Sequence, residues 1–191
     1  MTTFLISDQH YGHSGIIRMC NRPFLRADGE PDVKAMDDCM IESHNAVVGK
    51  LDTVIMLGDF AHRAADDRLP KIFGALKGKK HLVLGNHDGA QTRALPWESQ
   101  HDLWHVSVDS TNLVLCHYAL RQWAKIRKGA LMLYGHSHGK LPGNVQSCDI
   151  GVDVFGWSPV RLSTIQAHLA TLPLMTDPEA KDDLEDGGLS L

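Results

Sequence analysis

Residues 81–88 read His-Leu-Val-Leu-Gly-Asn-His-Asp. A short run of Leu and Val, bounded by glycine, reads as a buried strand. It opens directly onto three polar side chains able to hold a metal or move a proton. The same order recurs on both sides. Phe4-Leu5-Ile6 leads to Ser7-Asp8-Gln9-His10, and residues 53–57 lead to Gly58-Asp59. Residues 112–116 lead to His117, and Leu-Met-Leu-Tyr at 131–134 leads to Gly135-His136-Ser137-His138. All five strands end in potential metal ligands. In open α/β sheets, ligands collect at the carboxyl ends of the strands, so five such ends describe one site.

Between the strands the pattern turns helical. Residues 32–48 carry apolar side chains at Val33, Met36, Met40, Ile41, Val47 and Val48, with Asp32 placed as an N-cap after Pro31. Residues 66–76 form a shorter candidate. Both sit where crossover helices sit. Residues 103–109 and 112–116 are expected to form a hairpin around Ser110-Thr111. Residues 145–150 are expected as another strand, and Ser163 as the cap of a last helix reaching about Thr171. Segments 11–31 and 118–130 show little periodicity.

The chain of 191 residues, 43% of them hydrophobic, suits one domain with a substantial core. That domain is expected over 1–172. From Pro173 the composition turns acidic, one Lys against six Asp or Glu, and 173–191 is expected as a disordered tail. A net charge of −4 gives no footprint for gripping a long nucleic acid. Four cysteines without a C-x-x-C pair point to reduced thiols, and the start carries no signal-peptide pattern. No run approaches the ~20 apolar residues of a membrane helix. The expected setting is the cytoplasm, with no membrane partner.

Spacing and donor type sharpen the site. Asp8 with His10, and His136 with His138, are each two apart, so on extended backbone both members face one side. Asp8, His10, Asp59, Asn86, His117, His136 and His138 supply two carboxylates, one amide oxygen and four imidazoles, with no thiolate. Mixed N/O donors suit manganese, iron or zinc and argue against a structural Cys-rich zinc site. Seven donors are too many for one ion that must also hold water. They suit two ions sharing Asp59. Gly58, Gly85 and Gly135 each precede a ligand and permit close backbone approach.

The ordered set D-x-H, G-D, G-N-H-D, a lone His and G-H-x-H resembles the calcineurin-like metallophosphoesterases, over residues 7 to 138. The opening S-D-Q-H-Y-G-H with Arg22-Pro23-Phe24 is similar to small stand-alone members in bacteria and phages. The resemblance implies the metallo-dependent phosphatase fold, an α/β four-layer αββα sandwich with two mixed sheets. It implies one ion on Asp8, His10, Asp59 and His138, and a second on Asp59, Asn86, His117 and His136. Manganese is the first choice, with iron, zinc or nickel as alternatives. It implies His87 as the acid that protonates the leaving alkoxide, a task suited to an imidazole with its ordinary pKa of ~6.5. Asp88 is expected to orient that ring.

One departure narrows the function. Protein phosphatases of this superfamily carry Asp-Arg-Gly after the bridging Asp, whereas Asp59 is followed by Phe60-Ala61-His62-Arg63. The expectation is therefore a phosphodiesterase, hydrolysing a small nucleotide-like substrate through a hydroxide activated by two metals. The alternatives are a phosphomonoesterase or protein phosphatase, and a catalytically inactive scaffold. His13, His62, Arg63, Arg121 and Trp123 are candidate substrate contacts, the last two against a plain surface-loop reading. Asp153 is a candidate acceptor for a ligand histidine, or an ordinary turn residue. His44, His81, His101, His105 and His168 read as structural or solvated.

Overall fold

The computed structural model describes residues 1–64 and 67–175. Its elements run β1 (Thr3–Ile6), α1 (Ser14–Met19), α2 (Val33–Val47), β2 (Thr53–Met56), α3 (Arg68–Ala75), β3 (Lys79–Val83), α4 (Ala90–Arg93) and β4 (Ser99–His101). There follow β5 (Leu103–Val108), β6 (Thr111–Cys116), a 3-10 turn (Ile126–Lys128), β7 (Leu131–Tyr134), β8 (Ser147–Asp149), α5 (Val152–Phe155), β9 (Val160–Arg161) and α6 (Leu162–Leu169).

The strands build two mixed sheets, ordered β4-β3-β2-β1-β9 and β5-β6-β7-β8. In the first, β1 to β4 run parallel and β9 antiparallel. In the second, β6, β7 and β8 run parallel and β5 antiparallel. Parallel strands bring the carboxyl ends of β1, β2 and β3 to one edge, and those of β6 and β7 likewise.

Residue alternation decides which face each side chain serves. Leu5, Ile55 and Val83 pack against Leu113, Leu115, Leu131 and Leu133 to form the core between the sheets, joined by Ile165 and Leu169 of α6. Phe4, Ile6, Val54, Met56 and Leu82 face the other way, onto Ile17, Met36, Met40, Leu69 and Phe73 of α1, α2 and α3. Each such side chain contributes ~1.5–3 kcal/mol on burial. Being buried on both faces, these strands read as continuous apolar runs. On the outer face of the second sheet, Val114, Met132 and Tyr134 are covered by Trp123, Leu120 and Ile126. The fourth layer is thus a loop with a 3-10 turn.

Several expectations hold in detail. Asp32 caps α2 by accepting from the Ala35 amide at 2.9 Å. The hairpin forms, but its two-residue turn is Asp109-Ser110, one residue before the expected Ser110-Thr111, with Val108 paired to Thr111 and both turn residues in the left-handed region. The expected strand over 145–150 is shorter, at Ser147–Asp149. Ser163 does not cap α6: the N-cap is Arg161, two residues earlier, and the helix starts at Leu162. Segment 11–31 contains α1, too short for its apolar positions to show a period. The helix expected over 66–76 spans Arg68–Ala75, and Asp66 lies outside the described residues. The body extends past 172: the Pro173 carbonyl accepts from the Val145 amide at 3.0 Å, and Met175 packs against the Trp123 cluster. The rest of the expected tail, 176–191, lies outside the described residues. Among the described residues, no helix is long and apolar enough to cross a membrane.

Candidate metal centre

The strand ends converge as the spacing required, but the backbone does so differently. Asp8, His10, Asp59, His136 and His138 all have positive φ, between 49° and 65°. The i, i+2 pairs therefore share a side through left-handed turns and not through extended strand. Asp and His tolerate this region better than most residues, and such strain concentrates at sites where the surroundings over-determine it. Here the surroundings are backbone bonds from the Asp8 amide to Gly58 O (3.1 Å) and from the His10 amide to Asp59 O (2.9 Å).

The seven side chains form two groups. Asp8, His10 and His138 bring their ligating atoms within 4.8 Å of one another, and Asp59, His117 and His136 do the same. Asp59 joins them: its Oδ2 lies 3.4 Å from His10 Nε2 and 3.4 Å from His117 Nε2. Asn86 Oδ1 lies 3.1 Å from His117 Nε2, on the second group's side. This is the division expected for two ions sharing one carboxylate.

The donors fit divalent cations. His10 is buried, yet neither ring nitrogen has a hydrogen-bond partner. A dry imidazole without a partner is costly unless its lone pair serves an ion. Burial pushes the Asp8 carboxyl up to about 7, against the pull of His117 and His138, and drives His10 down to about 2. For Asp59, burial acts upward but His117 and His10 prevail, holding it at about 2. For His138, burial acts downward, while Asp153, Cys20 and Asp8 push it up to about 10. Proton and cation compete for its Nε2 lone pair.

Ring orientation comes from atoms behind the site. His117 Nδ1–H donates to Leu57 O at 2.7 Å, and His138 Nδ1–H donates to Asp153 Oδ2 at 2.7 Å, leaving both Nε2 atoms inward. Asp153 is thus an acceptor for a ligand histidine. Two glycines make room. Gly58 has φ +88°, and a Cβ there would stand 2.5 Å from His117 Nδ1. A Cβ at Gly135 would overlap Ser7 Oγ and Asp8 Oδ2.

His87 stands outside both groups, its ring centroid 5.3 Å from that of His10 and its amide donating to Asp59 Oδ1 at 2.8 Å. Asp88 does not orient it as expected. Its carboxylate accepts from the amides of Asp59 (2.9 Å), Phe60 (2.9 Å) and Gly85 (2.8 Å), so it holds the two ligand loops together. Three amides from two loops outcompete a neighbouring ring for a buried carboxylate.

The other candidates separate. His13, His62 and His87 form a wall of rings, 4.5 Å from His13 to His62 and 4.2 Å from His62 to His87. Burial lowers the pKa of His13 to about 4 and lowers that of His62. His62, Arg63 and His87 border a cavity of about 390 Å³. Trp123 is no stacking platform: it is buried and its Nε1–H donates to Ala130 O at 2.8 Å. Arg121 lines another cavity, and neither cavity's lining includes any of the seven ligands. The residue that sequence reasoning missed is Arg22, described below.

Residues 1–116 match the family described as calcineurin-like phosphoesterase. The chain belongs to that family. With it come divalent metal ions and hydrolysis as the class of reaction. The chain is 27% identical to an uncharacterised protein of Methanocaldococcus jannaschii, covering 85% of this chain and 88% of that one. It is 26% identical to the Gene 66 protein of a mycobacterium phage, covering 81% and 87%. In fold it is similar to a protein of unknown function from Aquifex aeolicus, with a TM-score of 0.66 and 20% identity, covering 87% of this chain and 98% of that one.

Proposed function

We propose that this calcineurin-like phosphoesterase is a phosphodiesterase acting on a small, nucleotide-like substrate with two ions, manganese first among the candidates. When bound, two divalent ions activate water as the nucleophile and neutralise the phosphoryl oxygens. The observation that supports two ions is Asp59 Oδ2, equidistant from His10 Nε2 and His117 Nε2 at 3.4 Å.

The chain's own residues do the rest. Asp59 and Asp88 keep the two ligand loops in register, and His117 and His138 are held by their Nδ1–H bonds. His87 protonates the departing alkoxide from the side where it borders the cavity shared with His62 and Arg63. Among the described residues, the cavity that His62 and His87 border is lined by one cationic side chain, Arg63. A diester carries one negative charge and a monoester up to two, so a wall with one fixed cation suits the diester. Asn86, Tyr118 and His136 are exposed, which leaves the substrate an open approach. The four cysteines are free, which suits a reducing, cytoplasmic setting.

The test is turnover by the Mn²⁺-loaded protein of bis-p-nitrophenyl phosphate, p-nitrophenyl phosphate, and cyclic and linear nucleotides. A higher kcat/KM for the diester is expected. Preference for the monoester would overturn the diester reading, and no turnover at full metal occupancy would make the protein a scaffold.

A further inference from the structure

Arg22 is an arginine whose side chain is fully buried. It sits just beyond α1, fourteen residues from Asp8 in the chain, yet its guanidinium lies directly behind the metal centre. Nε donates to Asp153 Oδ1 at 2.9 Å and Nη2 to Asp153 Oδ2 at 2.8 Å, a two-pronged ion pair. The opposite side of the same fork donates to consecutive carbonyls, Nη2 to Asp8 O at 2.8 Å and Nη1 to Gln9 O at 2.9 Å. Asp153 Oδ2 in turn accepts the Nδ1–H of His138 at 2.7 Å.

These bonds reach one group of ligands. The carbonyls of Asp8 and Gln9 belong to the left-handed turn that presents Asp8 and His10, and Asp153 sets the tautomer of His138. Asp8, His10 and His138 are together the first group. The second has its own support, in the bond from His117 to Leu57 O and the amides gathered by Asp88. A buried charge this expensive to desolvate is retained only where each donor is used.

We infer that Arg22 is a positioning residue that sets the ion affinity of one half of the centre, acting on the Asp8, His10 and His138 half through Asp153 and the 8–9 backbone. This rests on the two-ion reading above. A lysine keeps the charge but cannot fork to a carboxylate and two carbonyls at once. Arg22→Lys therefore separates geometry from charge, and Asp153→Asn keeps the shape but removes the charge and leaves one oxygen for the donors of both Arg22 and His138. Loss of partners behind metal ligands weakens binding about 10- to 100-fold.

The test is calorimetric titration of the metal-free proteins with Mn²⁺. The wild type should bind two equivalents. In Arg22→Lys one equivalent should weaken at least about tenfold while the other stays within about threefold, and saturating Mn²⁺ should restore kcat. Asp153→Asn should weaken the same class. Equal weakening of both sites, or of neither, overturns the inference. If either variant fails to fold, ¹⁵N shifts of the zinc-loaded wild type still decide it: His138 should be the Nδ1–H tautomer, and the Nε2–H tautomer overturns it. A wild type that binds fewer than two ions would instead sink the two-ion reading.

Discussion

The backbone amide of His136 donates to both carboxylate oxygens of Asp8, at 3.0 Å each, across 128 residues of sequence. This joins the end of β1 in one sheet to the end of β7 in the other. Asp8 thus belongs both to the candidate centre and to the seam between the sheets. Asp59 instead faces a histidine of each group. The two carboxylates should therefore fail differently. Asp8→Ala should keep one class of ion binding and lower the unfolding midpoint. Asp59→Ala should lose both classes, with activity down at least about 10³-fold in each. Ion stoichiometry by mass spectrometry, beside thermal unfolding, distinguishes them.

His87 touches the centre through its amide and a ring contact, and is assigned the proton rather than an ion. His87→Ala should leave ion content near that of the wild type and reduce kcat by about 10²- to 10⁴-fold. The loss should be smaller for p-nitrophenolate, which leaves without protonation, than for an alkyl alcohol. Stripping of metal by this substitution would place His87 among the ligands.

Close packing at Gly135 leaves no room for a methyl group between Ser7 Oγ and Asp8 Oδ2. Gly135→Ala should cost about 1–3 kcal/mol by overpacking and reduce ion binding with it. Gly74, inside α3 with nothing within 4 Å of an added Cβ, is the control. Gly74→Ala should stabilise by about 0.5–1 kcal/mol and leave the ions untouched. Urea midpoints and metal titration read both.

His44 gives a pH dependence remote from the centre. It is buried in the last turn of α2, donates from Nε2 to Lys77 O at 2.9 Å, and burial, with Lys80 and Lys77 nearby, lowers its pKa to about 4. Unfolded, it titrates near ~6.5. Between those values the unfolded chain binds the extra proton, so stability falls as pH drops from about 6.5 towards 4 and is fully present above that window. The stability difference between wild type and His44→Gln should shrink across this range. A constant gap from pH 7 to 4.5 would mean that His44 titrates alike in both states.

The centre was legible because its donors follow apolar runs, and parallel strands carry such positions to one edge. Asp8, His10, Asp59, Asn86, His117, His136 and His138 all meet there. The short pieces were not legible. The strands Ser99–His101 and Val160–Arg161 carry too few residues for a period, and α1 covers only six. The 118–130 segment allowed two readings, Trp123 as a stacking contact or as an aromatic packed beneath a surface loop, and local sequence did not separate them. The Trp123 ring is the apolar cover of the second sheet, a role set by what that sheet leaves bare.

By itself, the sequence determined that short apolar runs end in a set of possible metal ligands, since that follows from residue type and local period; the two sheets were what the family resemblance implied. Tertiary structure alone decided how those side chains are aimed. The left-handed turns at five of the ligands, the capture of Asp88 by three amides, and the bonds from Arg22 through Asp153 to His138 depend on partners up to 131 residues apart. Local spacing carries no record of such pairs, because a hydrogen bond is chosen by what lies within about 3 Å after folding.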